Sequence, residues 1–296
     1  MWGRGGMVDA QDLKSWERYV RVGSTPSVPT IAQETKSLYR SSIFFMIIEI
    51  NDLVKKYEDL VAVDGISFEV KQGEIFGLLG PNGAGKTTTL EIIETLRRPT
   101  SGRITVDGLD VLEDSWAVKS RIGVQLQDAG FYPDLTLVEL LKLFAALNQV
   151  SIEDPVSVLR KFSLEDKQKS FWQKLSGGQK QRFSLATTLI HDPKIIFLDE
   201  PTTGLDPQAR VNLWDEIRKI HNEGRTLVLT THYMQEAEVL CDRVAIMDGG
   251  KIIKTGSPRE LIEELLASGF KKEQEVQKAN LEDVFLTLTG KHLRDE

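Results

Sequence analysis

Cysteine, excess positive charge and long apolar runs are all scarce in this sequence. The single cysteine, Cys241, excludes an intrachain disulfide and a cysteine zinc cluster, and it indicates a reducing compartment. Because the formal net charge is -7, we expect no nucleic-acid partner. No run approaches the roughly 20 apolar residues that a membrane-spanning helix needs. The sequence therefore predicts a cytoplasmic protein without a membrane span of its own.

Three segments of the chain differ in pattern. Residues 1–45 show neither the period of strands nor that of helices, so we expect this segment to be disordered or an erroneous upstream extension, with the natural start near Met46. A globular domain is expected over residues 46–268, since 41% of the chain is apolar and 27% is charged. Residues 269–296 are expected to form a tail with a short helix that Asn280 opens.

Apolar runs that suit strands alternate with helical patterns after residue 46. The runs 74–79, 194–198 and 226–231 are predicted core strands. Such alternation is typical of an α/β fold with a mainly parallel central sheet. Residues 248–249, an Asp-Gly pair between two apolar runs, predict a hairpin turn near the edge of that sheet, and a helix is predicted at 258–267.

A further helix is predicted after Pro133. Thr136 and Glu139 have the spacing of a capping box, which marks the start of a helix. Apolar residues then recur at helical spacing, and we expect this stripe to face the core: Leu140, Leu141, Phe144 and Leu147.

A glycine-rich segment between an apolar strand and the helix predicted at 88–93 fits the phosphate-binding loop pattern. Glycines let backbone N–H groups wrap phosphates, and the following helix start adds positive potential. Lys86 is expected to reach the β and γ phosphates and to assist catalysis, and Thr87 to bind magnesium. The predicted phosphate-binding residues are Gly80, Pro81, Asn82, Gly83, Ala84, Gly85, Lys86, Thr87 and Thr88.

Two carboxylates, Asp199 and Glu200, end the predicted strand at 194–198. Taken alone, such a pair is more often a solvated strand end. Together with the phosphate loop, it indicates a ligand site at the carboxyl edge of the sheet. Asp199 is then a candidate magnesium ligand, and Glu200 a candidate general base for water attacking the γ phosphate.

A second glycine pair precedes another helix in the segment Leu175-Ser176-Gly177-Gly178-Gln179. In isolation this segment would predict a plain turn, but it also fits a second anion-binding helix start. It resembles the signature sequence of the ATP-binding cassette family, in the expected order between the phosphate loop and Asp199-Glu200. The resemblance covers about residues 47–255.

That resemblance implies roles for further residues. Tyr57 resembles the aromatic residue that stacks on adenine, and Asp206 lies in a segment that looks like the D-loop at the dimer contact. Gln127 resembles the Q-loop glutamine, a catalytic residue and metal ligand, whereas Gln125 fits the spacing less well. His232 looks like the switch histidine that contacts the γ phosphate. The other histidines have no partner motif and are expected to be structural: His191, His221 and His292.

The family resemblance also implies an architecture and a mechanism. The expected fold is a P-loop domain with a mainly parallel core sheet, an antiparallel β subdomain and a helical subdomain at about 128–180. Two domains would pair head to tail and hold ATP and Mg²⁺ between the phosphate loop of one and a signature segment of the other. That segment comprises Ser176, Gly177, Gly178 and Gln179.

Partners follow from the same resemblance. A separate transmembrane permease would hold the protein at the cytoplasmic face of the membrane, with Phe131 and Tyr132 as expected anchors for it. The second nucleotide-binding domain is expected to be another copy of this chain, with a heterodimer as the alternative. The segment 280–286 resembles the tail of bacterial exporter ATPases, which favours export over import.

Two other classes of protein were weighed. A soluble cassette ATPase acting on DNA or ribosomes is disfavoured, because residues 127–175 leave no room for a long coiled coil and only one nucleotide domain is present. A partner that binds ATP without hydrolysing it is disfavoured, because Glu200, Gln127, Gly178 and His232 are all in place.

Overall fold

The structure, a computed structural model, describes residues 46–125 and 130–270, and these form two sheets with helices around the larger one. The strands, in chain order, are β1 (Met46–Tyr57), β2 (Leu60–Lys71), β3 (Ile75–Leu79), β4 (Ser101–Val106), β5 (Leu109–Asp110), β6 (Ile122–Gln125), β7 (Ile195–Asp199), β8 (Thr226–Thr231), β9 (Arg243–Asp248) and β10 (Lys251–Gly256). The helices are α1 (Lys86–Ile93), α2 (Ser115–Lys119), α3 (Leu137–Leu147), α4 (Pro155–Lys161), α5 (Gly177–Thr188), α6 (Pro207–Asn222), α7 (Met234–Leu240) and α8 (Pro258–Ala267), with 3-10 turns at Glu165–Lys167 and Trp172–Lys174.

The larger sheet has six strands in the order β10-β9-β3-β8-β7-β6. All neighbouring pairs are parallel except β10 with β9, which are antiparallel and form the predicted hairpin at the edge. Every residue of β3, β7 and β8 is buried, as expected for parallel strands covered on both faces. The three predicted core strands are confirmed to within one residue at each end.

The smaller sheet is antiparallel, with the order β2-β1-β4-β5. Its apolar face joins α1 and one face of the larger sheet in a single core cluster, and helices α3 to α7 contribute to the cluster on the other face. Side chains along β8 alternate between the two core clusters: Leu227 and Leu229 belong to one cluster, and Val228 belongs to the other. The expected α/β architecture, with its antiparallel sheet and helical layer, is confirmed.

The helical layer between β6 and β7 contains α3, α4 and α5. Thr136 caps α3, and its side chain accepts from the backbone N–H of Glu139, which confirms the predicted capping box. Leu140 and Leu141 are fully buried, but Leu147 is 67% exposed, so the prediction of a core-facing stripe is wrong at its last position. Leu147 is the last residue of α3.

Phe131, an expected anchor for the permease, packs against other aromatic side chains of this layer. Its ring lies 4.3 Å from the ring of Trp172 and 5.3 Å from that of Phe183, measured between centroids, and it also contacts Phe144. These contacts place Phe131 inside the helical layer. Tyr132 beside it is 64% exposed, whereas Phe131 is partly buried against the core.

Cys241 is a buried free thiol just after α7, as expected for a small apolar residue near the end of an element. The helix predicted at 258–267 is confirmed by α8. The expectations for residues 1–45, for Gln127, for His292 and for the helix opened by Asn280 lie outside the described residues. Within residues 46–125 and 130–270, no helix is long and apolar enough to cross a membrane.

Phe183 should be a strong determinant of stability, because its fully buried ring joins the helical layer to the core. We expect Phe183→Ala to lower the free energy of unfolding by about 3 to 5 kcal/mol. Chemical denaturation would measure this loss. Leu147→Ala is the matched control in the same layer, with an expected loss below about 0.5 kcal/mol. Equal losses in the two variants would contradict this assignment of the core.

Candidate functional site

The carboxyl ends of β3, β7 and β8 determine where the site lies. Leu79 is opposite Thr231 in the sheet, and Asp199 is opposite Thr230. The residues that follow these strands therefore come together at one edge, where open α/β sheets bind ligands.

The loop after β3 leads into α1 through Gly85, which has a φ of 98° and caps the helix. A Cβ atom on Gly85 would lie 2.4 Å from the carbonyl oxygen of Ala62, and one on Gly80 would lie 2.2 Å from that of Met247. Both positions thus require glycine. The N–H groups of the first turn of α1 have no partners within the helix, so this end favours an anion.

A cavity of about 510 Å³ opens beside this loop, a size suited to a small-molecule ligand. Its lining includes the predicted residues Tyr57, Asn82, Gly83, Gly85, Lys86, Thr87, Thr88 and Glu200. Predicted phosphate-loop residues outside this lining are Gly80, Pro81 and Ala84. The sequence reasoning missed five lining residues, which carry no motif of their own: Leu60, Val61, Ala62, Gly249 and Gly250.

Lys86 supplies a buried positive charge at the bottom of the loop. Its ammonium group donates to the carbonyl oxygens of Gly80, at 2.8 Å, and Pro81, at 3.0 Å. It also lies 3.7 Å from Oε1 of Glu200. The side chain is only 4% exposed, so its field is poorly screened by solvent. Together with the start of α1, Lys86 makes this end of the cavity strongly attractive to phosphate.

Asp199 is held among hydroxyl groups at the end of β7. The hydroxyl oxygen of Thr87 lies 3.3 Å and 3.2 Å from the two carboxylate oxygens. Thr230 donates its hydroxyl to Oδ1 of Asp199 and accepts from the backbone N–H of Glu200 at 3.0 Å. Sequence reasoning did not find Thr230, whose only signal is a threonine at the end of a buried strand.

The carboxylate and hydroxyl oxygens of Asp199 and Thr87 fit the preference of Mg²⁺ for oxygen ligands. In the part of the chain that the structure describes, no three His, Cys, Asp or Glu residues are grouped to hold a metal. Such a group is not required, since Mg²⁺ is usually bound by one or two carboxylates together with phosphates and water.

Glu200 has a φ of 47°, in the left-handed region that residues with a side chain seldom adopt. Its backbone N–H donates to Thr230, and Thr203 donates to its Oε2 at 3.1 Å. Nδ1 of His232 lies 3.2 Å from Oε1, the same oxygen that faces Lys86. The structure thus brings Lys86, Glu200 and His232 together, and the unusual backbone of Glu200 is typical of a functional site.

Glu94, which follows α1, is a second buried carboxyl group near Asp199. Burial, with repulsion from Asp199 and Glu91, raises the pKa of Glu94 to about 8. The protonated form is therefore favoured at neutral pH, which limits the negative charge behind Asp199. Because the folded-state pKa lies above the ordinary value of 4.5, this group makes the folded state less stable as the pH rises towards 8.

The second glycine segment begins α5. Ser176 caps the helix by accepting from the N–H of Gln179, and Oε1 of Gln179 accepts from the N–H of Ser176 at 3.0 Å. A separate cavity of about 410 Å³ borders Ser176, Gly177, Gly178 and Asp206. This cavity and the cavity beside the phosphate loop share no lining residue.

Other predicted residues have clear positions. The ring of Tyr57 lines the larger cavity, and Nζ of Lys55 lies 4.8 Å from its centroid. Gln125 is buried and donates to Gln181 at 2.6 Å, so it has a structural partner.

The structural interpretation of two other histidines is supported by their contacts. Nε2 of His191 lies 2.9 Å from the carbonyl oxygen of Ile122, and Nε2 of His221 lies 2.8 Å from that of Gly73. Each ring contacts the backbone of another element instead of a catalytic group.

A phosphate loop, an acidic strand end and a buried lysine in one cavity define a P-loop nucleotide-binding protein. Comparison with protein families refines this class. The model of the family described as "ABC transporter" matches residues 63–203.

Several curated relatives cover most of the domain. Nod factor export ATP-binding protein I of Rhizobium etli is 42% identical over 228 residues, which are 76% of this chain and 72% of the relative. Daunorubicin resistance ATP-binding protein DrrA3 of Streptomyces coeruleorubidus is 40% identical over 72% of this chain and 69% of the relative.

Solved structures of ABC transporter proteins also resemble this chain. That of cbiO1 from Clostridium perfringens, described as part of the ABC transporter complex cbiONQ, has a TM-score of 0.66 and 30% identity over 74% of this chain and 91% of that one. A dimeric structure of the cassette MJ0796 bound to ADP and Pi has a TM-score of 0.65 and 26% identity, covering 72% of this chain and 99% of that one.

The chain belongs to the ABC transporter family of ATP-binding proteins. It is an ATP-binding and ATP-hydrolysing subunit, and ATPases of this family dimerise and act with a transmembrane subunit.

Thr230 offers a test of the site geometry. We expect Thr230→Val to slow ATP hydrolysis, because Asp199 and the N–H of Glu200 each lose a partner, and to cost about 1 to 3 kcal/mol of stability. Turnover and denaturation of the purified protein would be measured together.

Thr226→Val is the matched control at the opposite end of β8, where the hydroxyl accepts from the N–H of Gly73 at 2.9 Å. It should lose similar stability but retain turnover. Equal turnover in the two variants would contradict a special role for Thr230.

Proposed function

We propose that this chain is the ATPase subunit of an exporter, in which two copies pair head to tail and close on ATP. The observation that carries the proposal is the separation of two anion-binding helix starts into two cavities of one chain. Each cavity offers half of the groups expected around a nucleotide. Head-to-tail pairing of two chains would bring the two halves together at two nucleotide sites.

In the proposed complex, Tyr57 stacks on adenine and the loop from Gly80 to Thr88 binds the phosphates. Thr87, Asp199 and Gln127 would hold Mg²⁺, and the oxygen donors of the first two fit this ion. Bound there, the ion would neutralise phosphate charge during transfer. Lys86 contributes a second positive charge at the γ phosphate.

Glu200 is the proposed general base. Its carboxylate lies beside both Lys86 and His232, within reach of a water molecule that attacks the γ phosphate. His232 would contact the γ phosphate, and Gln127 is a further proposed catalytic residue. Hydrolysis then removes contacts that favour the closed pair, so the pair reopens.

The partner copy would supply Ser176, Gly177, Gly178 and Gln179 to the γ phosphate, with Asp206 at the dimer contact. The dimeric structure of the relative MJ0796 supports pairing in general. Because every motif is present in this chain, two identical copies would suffice, and a heterodimer is the alternative.

Export is favoured by the relatives, whose names describe Nod factor export and daunorubicin resistance. A separate permease would hold the ATPase domain, residues 46–268, at the cytoplasmic face of the membrane. Tyr132, exposed beside the helical layer, is the proposed contact with this permease.

Replacing the proposed base separates binding from hydrolysis. We expect Glu200→Gln to reduce ATP turnover at least 100-fold, roughly the span of general base catalysis, while ATP binding persists. Gel filtration with ATP should show a stable dimer, because the closed pair cannot hydrolyse its nucleotide. Glu238→Gln, an exposed change on α7, is the control with normal turnover. Unchanged hydrolysis by the Glu200 variant would end its assignment as base.

Purification from native membranes tests the transporter assignment. We expect the tagged full chain to retain a multi-span membrane protein and magnesium-dependent ATP hydrolysis that the Glu200→Gln variant lacks. Mass spectrometry would identify the retained protein. Recovery of ribosomal or DNA-repair proteins in its place would contradict the proposal and favour a soluble ATPase.

A further inference from the structure

A stack of three side chains extends from the hydrolytic site to the start of α6. The rings of His232 and Tyr233 have centroids 4.1 Å apart at an interplanar angle of 38°. On Tyr233 lies the guanidinium group of Arg210, with Cζ 4.6 Å from the ring centroid. His232 in turn places Nδ1 3.2 Å from Oε1 of Glu200. The contacts therefore run without a gap from Arg210 to the proposed base.

One nitrogen of the Arg210 guanidinium is shielded from water beside this contact. Its Nε atom is buried and has no hydrogen-bond partner among the described residues. A desolvated guanidinium over an aromatic face is the stronger form of the cation–π contact. The ring of Tyr233 is thus a contact of a partly buried charged group, and this contact would be lost with the ring.

Backbone hydrogen bonds hold Tyr233 and Arg210 in place. Tyr233 precedes α7, and its N–H donates to the hydroxyl of Thr231 at 2.9 Å. The N–H of Arg210 donates to the carbonyl oxygen of Asp206 at 3.0 Å, so Arg210 lies in the first turn after the expected dimer contact. Movement of Asp206 would therefore displace Arg210.

A second contact keeps α6 and α7 in register. The indole N–H of Trp214, one turn after Arg210, donates to Oε1 of Glu236 at 3.1 Å, and both side chains are buried. Arg210 with Tyr233 and Trp214 with Glu236 are thus successive contacts that α6 makes with the residue before α7 and with α7 itself. Because α6 and α7 are packed against each other, a displacement of one helix can be transmitted to the other.

We infer that Tyr233 and Arg210 are positioning residues for ATP hydrolysis: they hold the His232 ring against Glu200 and link it to the dimer contact at Asp206. This inference rests on the proposed function of His232 and Glu200. Without the Tyr233 ring, the imidazole can turn away from Glu200, and a misplacement of about 1 Å in a catalytic site can cost 100-fold in rate. Neither positioning residue is expected to bind ATP.

The test compares steady-state ATP hydrolysis of Tyr233→Leu, Tyr233→Phe and Arg210→Gln. We expect Tyr233→Leu to lower kcat by about 10- to 100-fold and Arg210→Gln to lower it by a smaller factor, with KM for magnesium ATP within about twofold. Tyr233→Phe keeps the stacked ring and should retain at least about half of the activity. Lys219→Gln, an exposed change further along α6 at a side chain that pairs with Glu216 of the same helix, is the control with normal kcat.

His232→Ala, alone and combined with Tyr233→Leu, separates the stack from the proposed site. We expect His232→Ala to lose turnover, and the double variant to be no slower, because Tyr233 acts through His232. Thermal melting checks that each variant folds. If Tyr233→Leu unfolds, the kcat of Arg210→Gln tests the inference.

Two outcomes overturn the inference in different ways. If His232→Ala hydrolyses ATP normally, the proposed role of His232 fails and the stack has nothing to position. If His232→Ala is inactive but Tyr233→Leu and Arg210→Gln keep normal kcat, only the positioning role fails. A rise in KM alone, with kcat unchanged, also overturns the inference.

Discussion

The parallel alignment of β3, β8 and β7 is the constraint on which the site depends. Their register places Leu79 opposite Thr231 and Thr230 opposite Asp199, so the residues just beyond these strands meet. The strands are buried throughout, which leaves little freedom for one to slide against another. A shift by one residue would turn Asp199 away from Thr87 and separate Glu200 from Lys86. The packing of the core therefore also fixes the geometry of the site.

Charge is a second constraint, because the charged groups at this site would be costly to bury without partners. Lys86 is buried, yet two backbone carbonyls and Glu200 surround its ammonium group. Asp199 has hydroxyl partners on both sides, and the protonated form of Glu94 is favoured near neutral pH. Lys86 and Asp199 thus each have polar or charged partners close by, and these offset part of the desolvation cost of burying the two charges.

Much of this could be predicted from the sequence, since a loop that wraps phosphate needs glycine at defined positions. Gly80 and Gly85 illustrate why: in both places a side chain would meet a carbonyl oxygen. Thr230 could not be predicted, because its role depends on which strand lies beside β7, and single-sequence patterns do not contain strand order. The exposure of Leu147 and the aromatic contacts of Phe131 escaped prediction for a related reason. Both depend on which side chains lie beside them in the folded chain.

The signature segment is central to the proposal that a single chain holds half of each nucleotide site. The capping box uses the hydroxyl of Ser176 and the amide oxygen of Gln179 within the turn itself, so other donors of this helix start remain for an anion. A Cβ atom on Gly178 would lie 3.2 Å from the side chain of Ala209, in the first turn of α6. Glycine thus lets the signature turn lie close to the helix that Asp206 caps. An anion donor and a proposed dimer contact share one surface, and Arg210, next to Ala209, extends that surface towards Tyr233 and the hydrolytic groups.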